Sequence, residues 1–222
     1  MVTFSGVIFD FNGTLLWDTP LHYEAWNRLF QEYSLPVLTR DDRTLLGKNT
    51  DQLITAFFGA GRSVAEKWEI VEKKEAFYRE ACVRSGLRLA PGAETLLDFL
   101  KEKNLAFTIG TATGKTNLDF YFEHYSLGQW FTYEKIVYDD GTLPGKPDPR
   151  IFEIALTKIG KAAAETVIFE DSFAGIHAAI NAKAGRVFIV DADQTDYAEF
   201  SPWNLTKITH FDDVDRGIFA VS

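Results

Sequence analysis

Cysteine is almost missing from this chain: Cys82 stands alone among 222 residues. One thiol closes no intrachain disulfide, so the core must hold the fold, and a reducing compartment is expected. Cys82 has neither a CxxC partner nor a neighbouring histidine, which points to packing rather than chemistry. Apolar runs approaching the ~20 residues of a membrane-spanning helix are missing too. The first residues carry no basic stretch followed by an apolar one, so no signal peptide is expected and the default location is the cytoplasm. Positive charge is in deficit, with 23 Lys and Arg against 32 Asp and Glu and a net charge of −9. That balance disfavours nucleic acid and anionic membrane as partners. It does not disfavour a phosphorylated small molecule, because a few local lysines and a bound metal set the field at a site.

What is present has the rhythm of an α/β protein, short β-branched or aromatic runs each followed by a helical pattern. The runs are Val7 to Phe9, Ala106 to Ile109, Lys135 to Val137, Thr166 to Phe169 and Arg186 to Val190. Polar residues cluster just after them. In an open parallel sheet that is the carboxyl edge, where ligands bind. From Asp18 to about Arg88 no convincing strand appears, and the periodicity is helical. Leu21, Ala25, Trp26, Leu29 and Phe30 form one stripe, Leu53, Ile54, Phe57 and Phe58 another, and Trp68 to Val83 a third. Ala90-Pro91-Gly92 then restarts the α/β pattern with a helix carrying Leu96, Leu97 and Leu100. The expected architecture is a Rossmann-like parallel-sheet core, residues 1–17 and 90–222, with a helical cap inserted at 18–89. The alternative is a set of helices covering one face of the sheet.

Several strand-end residues carry chemistry. Asp10 stands where the first run opens into Phe11-Asn12-Gly13-Thr14, a turn whose glycine lets backbone N–H groups approach a ligand. A carboxylate there can ligate a metal or attack phosphorus; it can equally be an ordinary strand cap. Glu170-Asp171-Ser172 places two acids at another strand end, and a hard cation needs only one or two carboxylates plus substrate oxygen. Gly145-Lys146-Pro147-Asp148-Pro149 fixes a lysine able to neutralise phosphate charge. Thr111, read as ending the second strand, offers a hydroxyl.

In this order, these segments resemble the haloacid-dehalogenase-like phosphotransferase superfamily, most closely its β-phosphoglucomutase-like branch with a helical cap. The resemblance runs through Asp10 to Leu15, Asp18 to Trp26, Leu89 to Gly92, Thr111, Gly145 to Pro149 and Phe169 to Ile176. It implies that Asp10 is a nucleophile forming an aspartyl-phosphate, splitting transfer into two displacements. It implies Mg²⁺ held by Asp10, Asp171 and the Asn12 backbone carbonyl, with Glu170 as ligand or neighbour. Thr111 and Lys146 would bind the transferring phosphoryl group, and Gly13, Thr14, Ala112 and the cap residues His22 and Lys48 would meet the substrate. That substrate is expected to be a small phosphorylated metabolite, bound by a monomer or weak dimer.

Asn12 departs from the family pattern, which usually has a second aspartate there to protonate the leaving oxygen and then deprotonate water or a sugar hydroxyl. A carboxamide has no titratable proton. Three readings follow: a slow or specialised phosphatase, a phosphonatase-like enzyme using a cap lysine such as Lys48, or a non-catalytic phosphate-binding regulator. A mutase reading ranks below the phosphatase, because Thr50 stands where the arginine gripping a second phosphate is expected.

Overall fold

Four consecutive residues buried on both faces, Gly6–Phe9, form β1 at the middle of a sheet. A strand covered on both sides reads as an unbroken apolar run, which is why it stands out in sequence. The computed structural model describes residues 3–39, 50–203 and 205–220. The other strands are β2 (Ala106–Gly114), β3 (Val137–Asp139), β4 (Thr166–Glu170), β5 (Arg186–Val190) and β6 (Thr206–Ile208). They form one sheet in the order β3-β2-β1-β4-β5-β6, every neighbouring pair parallel. This is the α/β, Rossmann-like architecture expected.

Successive strand residues point to opposite faces. On one face Ile8, Ile168 and Val187 join a core with Ile151, Phe152, Ala155, Leu156 and Ile159 of α6 (Arg150–Ile159) and Ala178 and Ala179 of α7 (Phe173–Asn181). The α6 residues recur at helical spacing and form the stripe that lies on the sheet. On the other face the rings of Phe9, Phe169 and Phe188 stack across three strands, the two neighbouring pairs of centroids each 4.9 Å apart. Burying each phenylalanine is worth about 1.5–3 kcal/mol. Two further helices, α4 (Ala93–Glu102) and α5 (Lys115–His124), belong to this part of the chain.

The strands differ from expectation in three places. β2 does not end at Ile109 but continues through Thr111 to Gly114, so Thr111 lies within the strand. Its run of Gly, Thr and Ala looks like a turn in sequence, yet Gly110 and Gly114 pair with Val137 and Asp139 of β3. β3 begins two residues later than expected. β6 was not anticipated, being three residues long with two of them exposed.

By compactness the chain divides into two units, Met1–Trp17 with Arg88–Ser222, and Asp18–Leu87. The second holds α1 (Thr19–Glu32), α2 (Thr50–Phe58) and α3 (Val64–Ser85). Pro20 opens α1, where its missing N–H costs nothing. A capping box between Ser63 and Glu66 starts α3, and Gly86 in the left-handed region ends it. Tyr23, Ala25, Trp26, Leu29 and Phe30 are the buried face of α1; Leu21 is only half-buried. On α3, Cys82 is buried, while Trp68 is exposed. Ion pairs Glu24–Arg84, Arg28–Glu80 and Glu32–Lys73 show that α1 and α3 run antiparallel. Being exposed, they contribute little to stability.

Candidate active site

The register of the sheet assembles the site. Phe9 pairs with Phe169, so Asp10 and Glu170 leave β1 and β4 side by side, and the Asp10 N–H donates to the Phe169 carbonyl at 2.9 Å. The chain returns toward opposite edges of the sheet from these two central strands, the topological switch point at which open α/β sheets bind ligands. Lys146, ahead of α6 and with a side chain only 9% exposed, donates to Asp10 Oδ1 at 2.6 Å and Glu170 Oε1 at 2.5 Å. Glu170 Oε2 accepts from the main-chain N–H of Asp171 and Ser172 at 2.9 and 3.0 Å and from Ser172 Oγ at 3.1 Å.

Two glycines make room for these acids. Gly13 has φ +78°, and a Cβ there would lie 2.1 Å from Asp171 Oδ2. Gly175, in the first turn of α7, would bring a Cβ within 1.7 Å of Glu170 Oε1. Thr14 Oγ1 donates to Asp171 Oδ1 at 2.8 Å. Oxygens of Asp10, Glu170 and Asp171 then lie within 4.8 Å of one another.

Three carboxylates thus share one ammonium. Burial pushes the Asp171 carboxyl well above its ordinary range, and the charges of Glu170 and Asp10 push it further, against the Thr14 hydrogen bond and Lys146. Burial alone would lower Lys146, but Asp10 and Glu170 outweigh it and hold the ammonium above its usual range. An oxygen-only donor set with surplus negative charge, Asp10 and Glu170 buried and Asp171 half-buried, fits a hard divalent cation, whose charge would relieve the repulsion.

Asn12 does not sit idle. Its Oδ1 accepts from Thr113 Oγ1 at 2.6 Å, and its Nδ2 donates to the Tyr121 hydroxyl at 2.9 Å. Tyr121 is buried on α5 with its ring stacked on Phe11. Thr111 is buried within β2 and its Oγ1 accepts from the Thr113 N–H at 3.2 Å, while Ala112 is exposed between them. The β2 hydroxyl bonded to Asn12 is therefore that of Thr113, which sequence reasoning did not single out. Tyr121 and Tyr197 were also missed. Tyr197 donates from its hydroxyl to the Asp171 carbonyl at 2.7 Å.

His22 belongs to the Asp18–Leu87 unit. Its ring stacks on Tyr78 with centroids 4.1 Å apart, Nδ1 meets Lys74 Nζ at 2.8 Å, and Nε2 lies 3.3 Å from Asp18 Oδ2. Asp18 also accepts from the Tyr78 hydroxyl. Buried Lys74 bonds Glu75 as well, at 2.9 Å. The substrate role expected of His22 is thus set beside a dense local network. Lys48, the other cap residue expected at the substrate, lies outside the described residues.

Comparison with known proteins places these features in context. A family model for hydrolases of the haloacid dehalogenase-like type matches residues 4–183. A phosphorylated carbohydrates phosphatase of Thermotoga maritima is 26% identical over 182 residues, spanning 82% of this chain and 83% of that protein. Protein CbbY of Rhodobacter capsulatus is 30% identical over 212 residues, spanning 91% and 93%. The crystal structure of a HAD hydrolase, family IA, variant 3, from Entamoeba histolytica superposes with a TM-score of 0.88 at 32% identity, covering 98% of this chain and 97% of that one.

Proposed function

Because the chain belongs to the haloacid dehalogenase-like hydrolase family, we propose that it is a Mg²⁺-dependent phosphatase of small phosphorylated metabolites, working through an aspartyl-phosphate on Asp10. The observation that carries this reading is the convergence of Asp10, Glu170, Asp171 and Lys146 at the switch point. Asp10, Glu170 and Asp171 would hold the ion, with the Asn12 carbonyl as a further oxygen. When bound, Mg²⁺ supplies charge neutralisation at the transferring phosphoryl group.

The remaining chemistry falls to the chain. A carboxylate oxygen of Asp10 attacks phosphorus, one P–O bond forms, and the bond to the leaving oxygen breaks. Lys146 holds Asp10 and offsets the charge of the phosphoryl oxygens, with backbone N–H groups near Gly13 and Thr14 and the Thr111 hydroxyl as donors. Water then attacks phosphorus, the P–O bond to Asp10 breaks, and the water's proton passes to a phosphoryl oxygen or to bulk water, leaving Asp10 as a free carboxylate. Asn12 can orient either nucleophile by hydrogen bonding but moves no proton. Donors whose leaving group departs unprotonated are therefore favoured, and hydrolysis of the phosphorylated protein is the slow step. The helical unit Asp18–Leu87 acts as the cap and carries substrate selectivity.

Incubation with acetyl phosphate carrying a radiolabelled phosphoryl group and Mg²⁺ is expected to label the wild type at Asp10, as a phosphate preserved by acid quench and released by tritiated borohydride, which leaves tritiated homoserine at that position, and to leave Asp10→Asn unlabelled. Equal labelling of both proteins would remove Asp10 as nucleophile. Failure of every donor to label either protein would favour the regulator.

Metal binding is expected to depend on pH with a definite sign. Mg²⁺ competes with a proton at Asp171, whose carboxyl burial and its acidic neighbours raise. Affinity therefore increases as pH rises through that raised value, and each binding event releases a proton below it. Calorimetric titration in two buffers of different ionisation heat measures the proton directly. A pH-independent affinity with no proton released would contradict this ligand set.

A further inference from the structure

We propose that Tyr197 is a positioning residue for Asp171, its hydroxyl fixing the main chain of the residue that completes the three-carboxylate group. The inference rests on the metal-binding reading of that group. Tyr197 lies in the connection between β5 and β6, away from the motifs that bear the acids. Its hydroxyl donates to the Asp171 carbonyl at 2.7 Å, and its ring stacks on Phe173 with centroids 5.4 Å apart and planes 22° from parallel. One side chain therefore holds the residues on both sides of Ser172.

The far side of the same turn is already tied. Ser172 caps α7, its Oγ accepting from the Gly175 N–H at 3.0 Å, and its own N–H is committed to Glu170. That N–H shares a peptide unit with the Asp171 carbonyl, so the unit is held at one end by Glu170 and at the other by Tyr197. The Tyr197 hydroxyl acts on that unit. Without it the unit is tied only at its N–H, and the Asp171 carboxylate, otherwise held by the Thr14 hydroxyl, is placed less firmly beside Asp10 and Glu170.

The segment bearing Tyr197 does not need this hydrogen bond to stay in place. Buried Asp191 accepts from the Thr195 N–H at 2.8 Å and from Lys207 Nζ at 2.9 Å. Phe200 is buried against Ile176 and Ile189 and lies 5.5 Å from the Phe173 ring. The aromatic row continues to Trp203, which is partly exposed. Removing one hydroxyl leaves all of these contacts standing, so its loss acts on the metal turn and not on the fold.

Tyr197→Phe, which keeps the stacked ring, is expected to weaken Mg²⁺ binding in the presence of inorganic phosphate by about 10–100-fold, the usual effect of losing a group that orients a metal ligand. Calorimetry and Mn²⁺ electron paramagnetic resonance read the affinity. The melting temperature in EDTA should stay near that of the wild type, and turnover at saturating Mg²⁺ should recover. Trp203→Ala, at the far end of the row, should leave metal affinity unchanged. A lowered melting temperature in EDTA with wild-type affinity would overturn the proposal, as would equal weakening by Trp203→Ala. Asp171→Ala separates the two readings. If it loses binding while Tyr197→Phe keeps it, only the positioning role fails; if it binds normally, the metal reading fails as well.

Discussion

Asn12→Asp is expected to speed loss of phosphate from the phosphorylated protein by about 10²–10⁴-fold, the range of general acid–base help. The surroundings of the side chain decide which step gains. In the Asn12 pose the Thr113 hydroxyl already donates to Oδ1, and the Tyr121 hydroxyl accepts from Nδ2. With a carboxylate in place of the amide, the Thr113 bond persists and the Tyr121 hydroxyl turns its proton toward the new oxygen. Two donors favour the ionised carboxylate. An ionised group removes a proton from water but has none to give a departing alcohol. Hydrolysis of the acyl phosphate should therefore gain far more than its formation. Rapid-quench measurement of formation from an alkyl phosphate, and of decay after loading with acetyl phosphate, checks this. An unchanged decay rate in Asn12→Asp would mean that another group already supplies the base.

Gly175→Ala is expected to cost about 3–5 kcal/mol, the scale of breaking a buried ion pair. Local propensity alone points the other way, since alanine in a helix is favoured over glycine by roughly 0.5–1 kcal/mol. Packing decides the sign. The added Cβ would lie 1.7 Å from Glu170 Oε1, 2.0 Å from Cδ and 2.3 Å from Oε2. Glu170 is fully buried and must leave its place, giving up Lys146 and the three donors at Oε2. Glu170 is then charged and uncompensated, while Lys146 keeps only Asp10. Urea unfolding measures the loss, and Mg²⁺ affinity should fall with it. A variant as stable as the wild type, with metal binding intact, would show that Glu170 has another position available.

The parts of the fold that were legible in sequence are those where burial imposes a pattern. β1, β4 and β5 read as apolar runs because nearly every residue in them is buried whichever face it points to, and α6 shows a stripe because one side of it is wet. The far end of β2 was not legible, since Gly110 to Gly114 pairs through its backbone and has no apolar side chains to announce a strand. β6 lies at a sheet edge with two exposed residues, so burial leaves no mark on its composition. At the site, the acids and Lys146 stood out because strand ends and a Gly-Lys-Pro turn are local signals. Tyr121 and Thr113 meet Asn12 across more than a hundred residues of chain, and Tyr197 reaches Asp171 across 26. Nothing local distinguishes them from the other tyrosines and threonines of the chain.

The pairing of Phe9 with Phe169 also sets a clock. β1 is made among the first residues of the chain, and the strand that borders it on the Glu170 side is made most of a chain later. At roughly 5–20 residues per second of synthesis, β1 waits on the order of 10–30 s for that neighbour. In the interval β2 can join one edge, and the other stays open to any strand that finds it. A slip of a single residue when β4 arrives would turn Glu170 to the opposite face and separate it from Asp10. On the proposed metal reading, Mg²⁺ binding would therefore report more than an intact site: in a nascent or refolding chain, it would mark the moment at which the middle of the sheet has closed in its native register.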